Sequence, residues 1–173
     1  MFTGAMDYIP ATMRNSTKDN FRPVGDYPMG QGTRAHAMAL YVILSSPMLM
    51  LPDSPSDYCR EKECTQFLTK IPVEWDETLL LQGKISKYTV LARRSGNEWF
   101  VGAITNNDAR TLEIPTGFLK AGKYHIELIE DGVNAGSRAE DYKKEVSEIT
   151  SGEVLKLKLA SGGGWVARIS PVL

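Results

Sequence analysis

The residues of this chain that could do chemistry fall into a few short groups. Gly30-Gln31-Gly32-Thr33-Arg34-Ala35 has the G-x-G-x-x-A spacing of a dinucleotide-binding turn and opens a helix. That motif needs a strand immediately ahead of it, so that the pyrophosphate meets the helix N-terminus. Asp26-Tyr27-Pro28 stands there instead, and the segment reads as a loop-to-helix turn. Ser161 to Gly164 is a tight turn without the Lys-Ser/Thr pair of a phosphate loop. Glu130-Asp131-Gly132-Val133-Asn134 sketches a calcium loop, but Val133 occupies a ligand position and the glycine is misplaced. It reads as a turn between strands. Cys59 and Cys64 are five apart on a predicted helix, hence on different faces, with no second pair to complete a zinc site. They read as structural thiols. His36 and His125 have no ligand spacing near them, and no metal site is assigned. Asn15-Ser16-Thr17 is a glycosylation sequon, meaningful only in a eukaryotic secretory pathway.

Two further groups point to carbohydrate. Asp7 and Tyr8 end the first predicted strand, and in a parallel barrel the carboxyl ends of strands face the active site. These two are the substrate-proximal candidates. A lone carboxylate is not a catalytic pair, because glycoside hydrolysis needs two, about 5 to 9.5 Å apart. No residue here is therefore assigned a catalytic role. Trp75, Trp99 and Trp165 could form a sugar-stacking platform, although core packing is the commoner use of tryptophan.

The elements that would position these groups change character along the chain. The seven methionines all lie at or before Met50, whereas the later part alternates in short runs separated by turns. Two units are read, 1–71 and 72–173, joined near Ile71 and Pro72. In the first, Met1 to Ile9 is a strand and 10–32 is a polar loop, of a length often reserved for function. Thr33 caps a helix running to about Ser45 that is apolar nearly all round. Met48 to Leu51 is an apolar stub, and Ser56 starts another helix through Lys70 with Tyr58, Cys64, Phe67 and Leu68 inward. The second unit carries strand signals at about 77–82, 86–94, 98–106, 109–114, 123–131, 142–149, 153–159 and 164–170. Leu155, Leu157 and Leu159 against Lys156 and Lys158 show the half-buried alternation. Eight short antiparallel strands argue for a β-sandwich. The first unit lacks a body to cover its helix, so apolar surface is expected around 33–51.

Composition excludes several classes. Twenty basic and twenty-one acidic residues give a net charge of −1, without the basic excess that nucleic acid or an anionic membrane selects. No apolar run reaches the roughly eighteen residues of a membrane span; Met38 to Leu51 is broken by Ser45, Ser46 and Pro47. The first ten residues do not read as a secretion signal.

Gly4-Ala5-Met6-Asp7-Tyr8-Ile9-Pro10 resembles a segment near the end of the catalytic barrel of glycoside hydrolase family 97. Gln31-Gly32-Thr33-Arg34-Ala35-His36, Ser46-Pro47, Asp53-Ser54-Pro55-Ser56-Asp57-Tyr58, Pro72 and Trp75-Asp76-Glu77-Thr78 continue the likeness. So do Asp131-Gly132-Val133-Asn134-Ala135, Ala139-Glu140-Asp141-Tyr142-Lys143 and Gly162-Gly163-Gly164-Trp165. Each motif is weak alone; the ordered set in one register is specific. Ala5, Ile9 and Ala11 depart from the usual Pro, Thr and Gly.

The resemblance implies an α+β fragment: the last strand and helices of a (β/α)8 barrel, followed by an antiparallel β-sandwich C-terminal domain. It implies that the chain is the C-terminal part of an α-glycosidase acting on α-glucosides or α-galactosides. This part would be scaffolding and inactive alone, since the family's catalytic carboxylates and calcium-binding glutamates lie upstream of Met1. The implied partners are the upstream barrel of the same parent and its oligosaccharide substrate. The implied cofactor is calcium in the parent, and the implied location is periplasmic or extracytoplasmic in a bacterium. The rival reading is a non-catalytic carbohydrate-binding β-sandwich module; a nucleotide-dependent enzyme using Gly30 and Gly32 ranks third.

Overall fold

The structure is a computed structural model, and it describes residues 7–10, 12–46 and 48–172. The expected strand at Met1–Ile9 falls mostly outside the described residues. Its end is extended: Tyr8 bridges Leu49 in parallel. The Tyr8 amide donates to the Met48 carbonyl at 3.3 Å, and the Met50 amide donates to the Tyr8 carbonyl at 2.9 Å. The apolar stub at Met48–Leu51 is thus a strand partner of the Tyr8 segment. The 10–32 loop is not wholly irregular either. Its ends are pinned by two short parallel strands, β1 (Asn15–Ser16) and β2 (Gly30–Gln31).

Helix α1 (Arg34–Ile43) starts where the sequence places it, with the Thr33 hydroxyl accepting from the His36 amide. The single helix expected over 56–70 is two, α2 (Pro55–Arg60) and α3 (Lys62–Leu68). Ser54, two residues earlier than expected, is the N-cap, and Pro55 fits the first helical position. The break falls at Glu61, whose backbone leaves the helical region at φ −97°, ψ 53°.

The remaining strands are β3 (Glu77–Lys84), β4 (Tyr88–Ser95), β5 (Glu98–Thr105), β6 (Arg110–Pro115), β7 (Lys123–Asp131), β8 (Tyr142–Thr150), β9 (Val154–Leu159) and β10 (Gly164–Pro171). All eight match expected positions. They form a six-stranded sheet in the order β3-β4-β5-β10-β7-β8 and a two-stranded sheet of β6 and β9, every pair antiparallel. Val101, Ile126, Trp165 and Ile169 of the large sheet meet Ile114 and Leu157 of the small one in a buried core. That is a β-sandwich. No described helix is long and apolar enough to cross a membrane.

The other face of the large sheet carries a second core. Phe100, Ile129 and Val166 pack against Ala35, Met38, Ala39 and Val42 of α1, with Cys64 and Phe67 of α3 alongside. This corrects the expectation that α1 lacks a body. The sheet itself is that body, and the helix is buried within the chain. What stays exposed lies in the segments on either side of it: Ile9 before the helix and Met48 and Leu51 after it are each more than half exposed. β5 is therefore buried on both faces, Trp99, Val101 and Ala103 inward to the sandwich and Phe100 toward α1.

Candidate functional site

Two places in the structure concentrate polar chemistry. The first lies where the parallel segments end. The Met13 amide donates to the Asp53 carboxylate at 2.5 Å, which joins the exit of the Tyr8 segment to the exit of the Met48–Leu51 segment. Beside it is a cleft of about 250 Å³, lined among others by Arg14, Tyr27, Asp53, Asp57 and Arg60. Arg14 donates to the Tyr27 carbonyl at 2.7 Å and stacks 4.5 Å above the Tyr27 ring. The Tyr27 hydroxyl donates to Asp57 at 3.2 Å, and Arg60 donates to the same oxygen at 3.0 Å. The Ser54 hydroxyl donates to the other oxygen at 2.7 Å.

These partners decide what the carboxylates can do. The Ser54 hydrogen bond, with help from Tyr27 and Arg60, holds the Asp57 carboxyl below the usual carboxylate range. That direction is opposite to the raised pKa that the acid of a glycosidase needs. Asp53 is engaged in holding the loop. Of the substrate-proximal candidates, Asp7 is exposed and Tyr8 half-buried at the strand end. Neither lines the cleft.

The second place is the N-terminus of α1, where residues that looked separate in sequence converge. Arg34 is 1% exposed. Its guanidinium donates to Asn15 at 2.5 Å, to Glu61 at 2.7 Å and to the Met13 carbonyl, and lies 5.8 Å from the Tyr142 ring centroid. Burial opposes the charge, but the Glu61 and Cys64 contacts outweigh it and hold the pKa above its ordinary value. Asn15, the sequon asparagine, has both ends of its amide engaged, since its nitrogen donates to the Thr12 carbonyl at 3.2 Å.

The two glycine motifs turn out to be each other's partners. The Thr33 amide donates to the Gly162 carbonyl at 3.0 Å, and His36 Nδ1 lies 3.1 Å from the Gly163 carbonyl. Gly32 and Gly162 both take positive φ, at 115° and 63°. A Cβ on Gly163 would sit 2.0 Å from the Asp131 carboxylate, and one on Gly164 would sit 2.3 Å from His36 Cα. The glycines serve a close approach of backbone to backbone, with no room for a phosphate. Asp131 completes the joint by accepting from the Ala160 amide at 2.7 Å and the Gly164 amide at 3.1 Å. Burial pushes its carboxyl up to about 6, against the pull of Thr33 and those amides. Of the 130–134 segment, Glu130 and Asp131 end β7 and the chain turns after them, closed by the Asn134 amide donating to Asp141 at 2.7 Å.

The remaining candidates stay apart. Cys64 is buried, Cys59 exposed, and both are free thiols. His125 is exposed near Glu148, far in sequence and fold from His36. Trp99 and Trp165 are buried in the sandwich core, and Trp75 is half-buried against Phe100 at 5.5 Å. The three tryptophans share no open platform, which removes the observation behind a carbohydrate-binding module. Among the described residues no group of three or more His, Cys, Asp or Glu could hold a metal ion. Sequence reasoning missed Arg34, Arg93 and Asp131 as nodes. A lone arginine ahead of an apolar helix was the only sign of the first, and an Asp-Gly turn the only sign of the last. Arg93 donates to the Leu44 carbonyl at 3.0 Å and the Ile43 carbonyl at 3.3 Å, which closes the C-terminus of α1.

Residues 74–170 match the family model described as "Glycosyl-hydrolase 97 C-terminal, oligomerisation". The chain belongs to glycoside hydrolase family 97. Its sandwich is that family's C-terminal domain, a part that is not itself catalytic. The family 97 chain is 47% identical over 167 residues to a retaining alpha-galactosidase of Bacteroides thetaiotaomicron, covering 96% of this chain and 25% of that protein. It is 28% identical to a probable retaining alpha-galactosidase of Streptomyces bingchenggensis, covering 95% of this chain and 23% of that one. Its fold superposes on a family 97 enzyme from Pseudoalteromonas sp. strain K8, solved in complex with panose, with a TM-score of 0.86 and 33% identity. That match covers 98% of this chain and 27% of the other. The family 97 chain thus spans about a quarter of the length of the curated relatives it matches.

Proposed function

We propose that this chain is the C-terminal part of a retaining α-galactosidase, in which it braces the catalytic domain and contributes no catalytic carboxylate. The observation that carries this reading is the 47% identity to a retaining alpha-galactosidase along 96% of the chain. The first unit, 1–71, is proposed to close a (β/α)8 barrel, with the sandwich domain starting at 72. The parallel bridge from Tyr8 to Leu49 with α1 between them supports this, since parallel strands need a crossover of that kind. Asp7 and Tyr8 then stand at the carboxyl end of a barrel strand, beside the substrate. In the parent, one carboxyl acts as acid and a second as nucleophile, the pair about 5–5.5 Å apart. Calcium is proposed for the parent, on residues upstream of this chain, as the family resemblance implies. A periplasmic or extracytoplasmic location goes with the same reading.

The test is hydrolysis of aryl α-galactosides and α-glucosides by the full-length protein, with the first-formed anomer followed by NMR. Cleavage of the α-galactoside with retention is expected. A folded full-length protein that inverts the anomeric carbon, or that leaves the α-galactoside untouched, would remove the reading.

A further inference from the structure

Helix α1 divides one face of the large sheet into two flanks. On the β7 side the face is covered: Phe67 and Cys64 of α3 join Ile129 and Tyr142 in the second core. On the other side, over β3 and β4, lies an open apolar groove of about 540 Å³, with Leu80, Thr89 and Ile104 in its lining and Ile85 at the hairpin tip. Leu80 is 67% and Ile85 96% exposed. The two edges of the sheet are unlike in the same sense. The β8 edge carries Lys143, Lys144, Glu145 and Glu148, the charges that keep an open edge from pairing. The middle of the β3 edge is Leu79-Leu80-Leu81-Gln82, with no charge.

We infer that this groove seats the helix immediately upstream of Met1 in the full-length protein. The inference rests on the barrel reading above. Consecutive helices are neighbours around a (β/α)8 ring. The successors of α1 in the chain are α2 and α3, and α3 lies against the β7 flank of α1. Its predecessor therefore belongs on the opposite flank, where the groove is. The chain supplies only about a quarter of its relatives' length, and its domain is the C-terminal one, so the missing part runs up to Met1. The rim adds a chemical requirement. Lys84 and Lys87 line the groove and no acidic residue does. The incoming helix is amphipathic, with an apolar face for Leu80 and Ile104 and a carboxylate near the lysines.

The test uses the full-length protein with a photoreactive benzophenone side chain in place of Ile85. After irradiation, the expected product runs at the mass of one chain, with the crosslink mapped by mass spectrometry to a helix upstream of Met1. A product of doubled mass assigns the groove to a second copy and overturns the inference. So does a crosslink confined to residues 1–173, or none. As a second readout, Leu80→Asp is expected to lower the melting temperature of the full-length protein by several degrees with its mass in solution unchanged; a halved mass or an unchanged melt overturns the inference. Neither readout uses activity. A correct crosslink in a protein inert toward α-galactosides would remove the substrate reading alone, and a doubled mass in an active enzyme would remove the groove assignment alone.

Discussion

Replacing Gly164 with alanine tests the joint between α1 and the sandwich directly. The new Cβ would lie 2.3 Å from His36 Cα, 2.4 Å from His36 N and 2.7 Å from Ala35 C, where ordinary contact begins near 3.4 Å. All three are backbone atoms, so no side chain can swing away, and α1 must move by about 1 Å. It is poorly placed to do so. Its first residues are tied to Gly162 and Ala139 through amide hydrogen bonds, and its other flank holds the Arg34 network. Overpacking of this kind costs about 1–3 kcal/mol, and a backbone clash belongs at the upper end. Gly164 does not adopt positive φ, so the effect is steric and not conformational. The stiffer unfolded chain returns about 0.4–1 kcal/mol. A net loss of about 2–3 kcal/mol corresponds to a fall of about 5–10 °C in melting temperature for a chain of this size. Circular dichroism on heating and urea titration would read it. Gly136→Ala is the control, because a Cβ there meets nothing within 4 Å. If Gly164→Ala melts within about 1 °C of the parent chain, α1 is not held against β10 as described.

Asp131 makes stability depend on pH in an unusual direction. Its folded pKa of about 6 lies above the ordinary value of 3.8, so the native state holds this proton more tightly than the unfolded chain. The stabilisation is complete below about pH 4 and is lost as pH rises through about 6, amounting to roughly 3 kcal/mol at one pKa unit per about 1.4 kcal/mol. Urea unfolding at pH 4, 5 and 7 of the parent chain against Asp131→Asn isolates this slope; identical slopes would contradict it. Arg34→Met should destabilise by about 3–5 kcal/mol, because it leaves the Glu61 carboxylate and the Met13 carbonyl without their buried partner. A urea midpoint unchanged within error would show that the network contributes nothing.

The residues themselves determined most of the secondary structure. Strand alternation such as Leu155-Lys156-Leu157-Lys158-Leu159 follows from a sheet buried on one face, and β9 lies where that pattern puts it. Thr33 announced the start of α1 because a hydroxyl before an apolar run satisfies an orphan amide. The ordered motifs carry the family likeness, and the glycine turns lack the preceding strand or the lysine that a phosphate site requires. Single-chain periodicity could not say what α1 packs on. The answer depends on a face of β5 and β10 whose contribution reads as Phe100, Gly102, Gly164 and Val166, two of them glycines with no hydropathy signal. Nor could it break the second helix at Glu61, because the carboxylate's partner, Arg34, lies 27 residues earlier. The tertiary structure decided that Gly32 and Gly162 meet, that the Asp131 carboxylate ties down the 160–164 turn, and that Trp99 and Trp165 face the core. Each depends on contacts between segments far apart in sequence, and local pattern carries no record of which distant backbone will come within 4 Å.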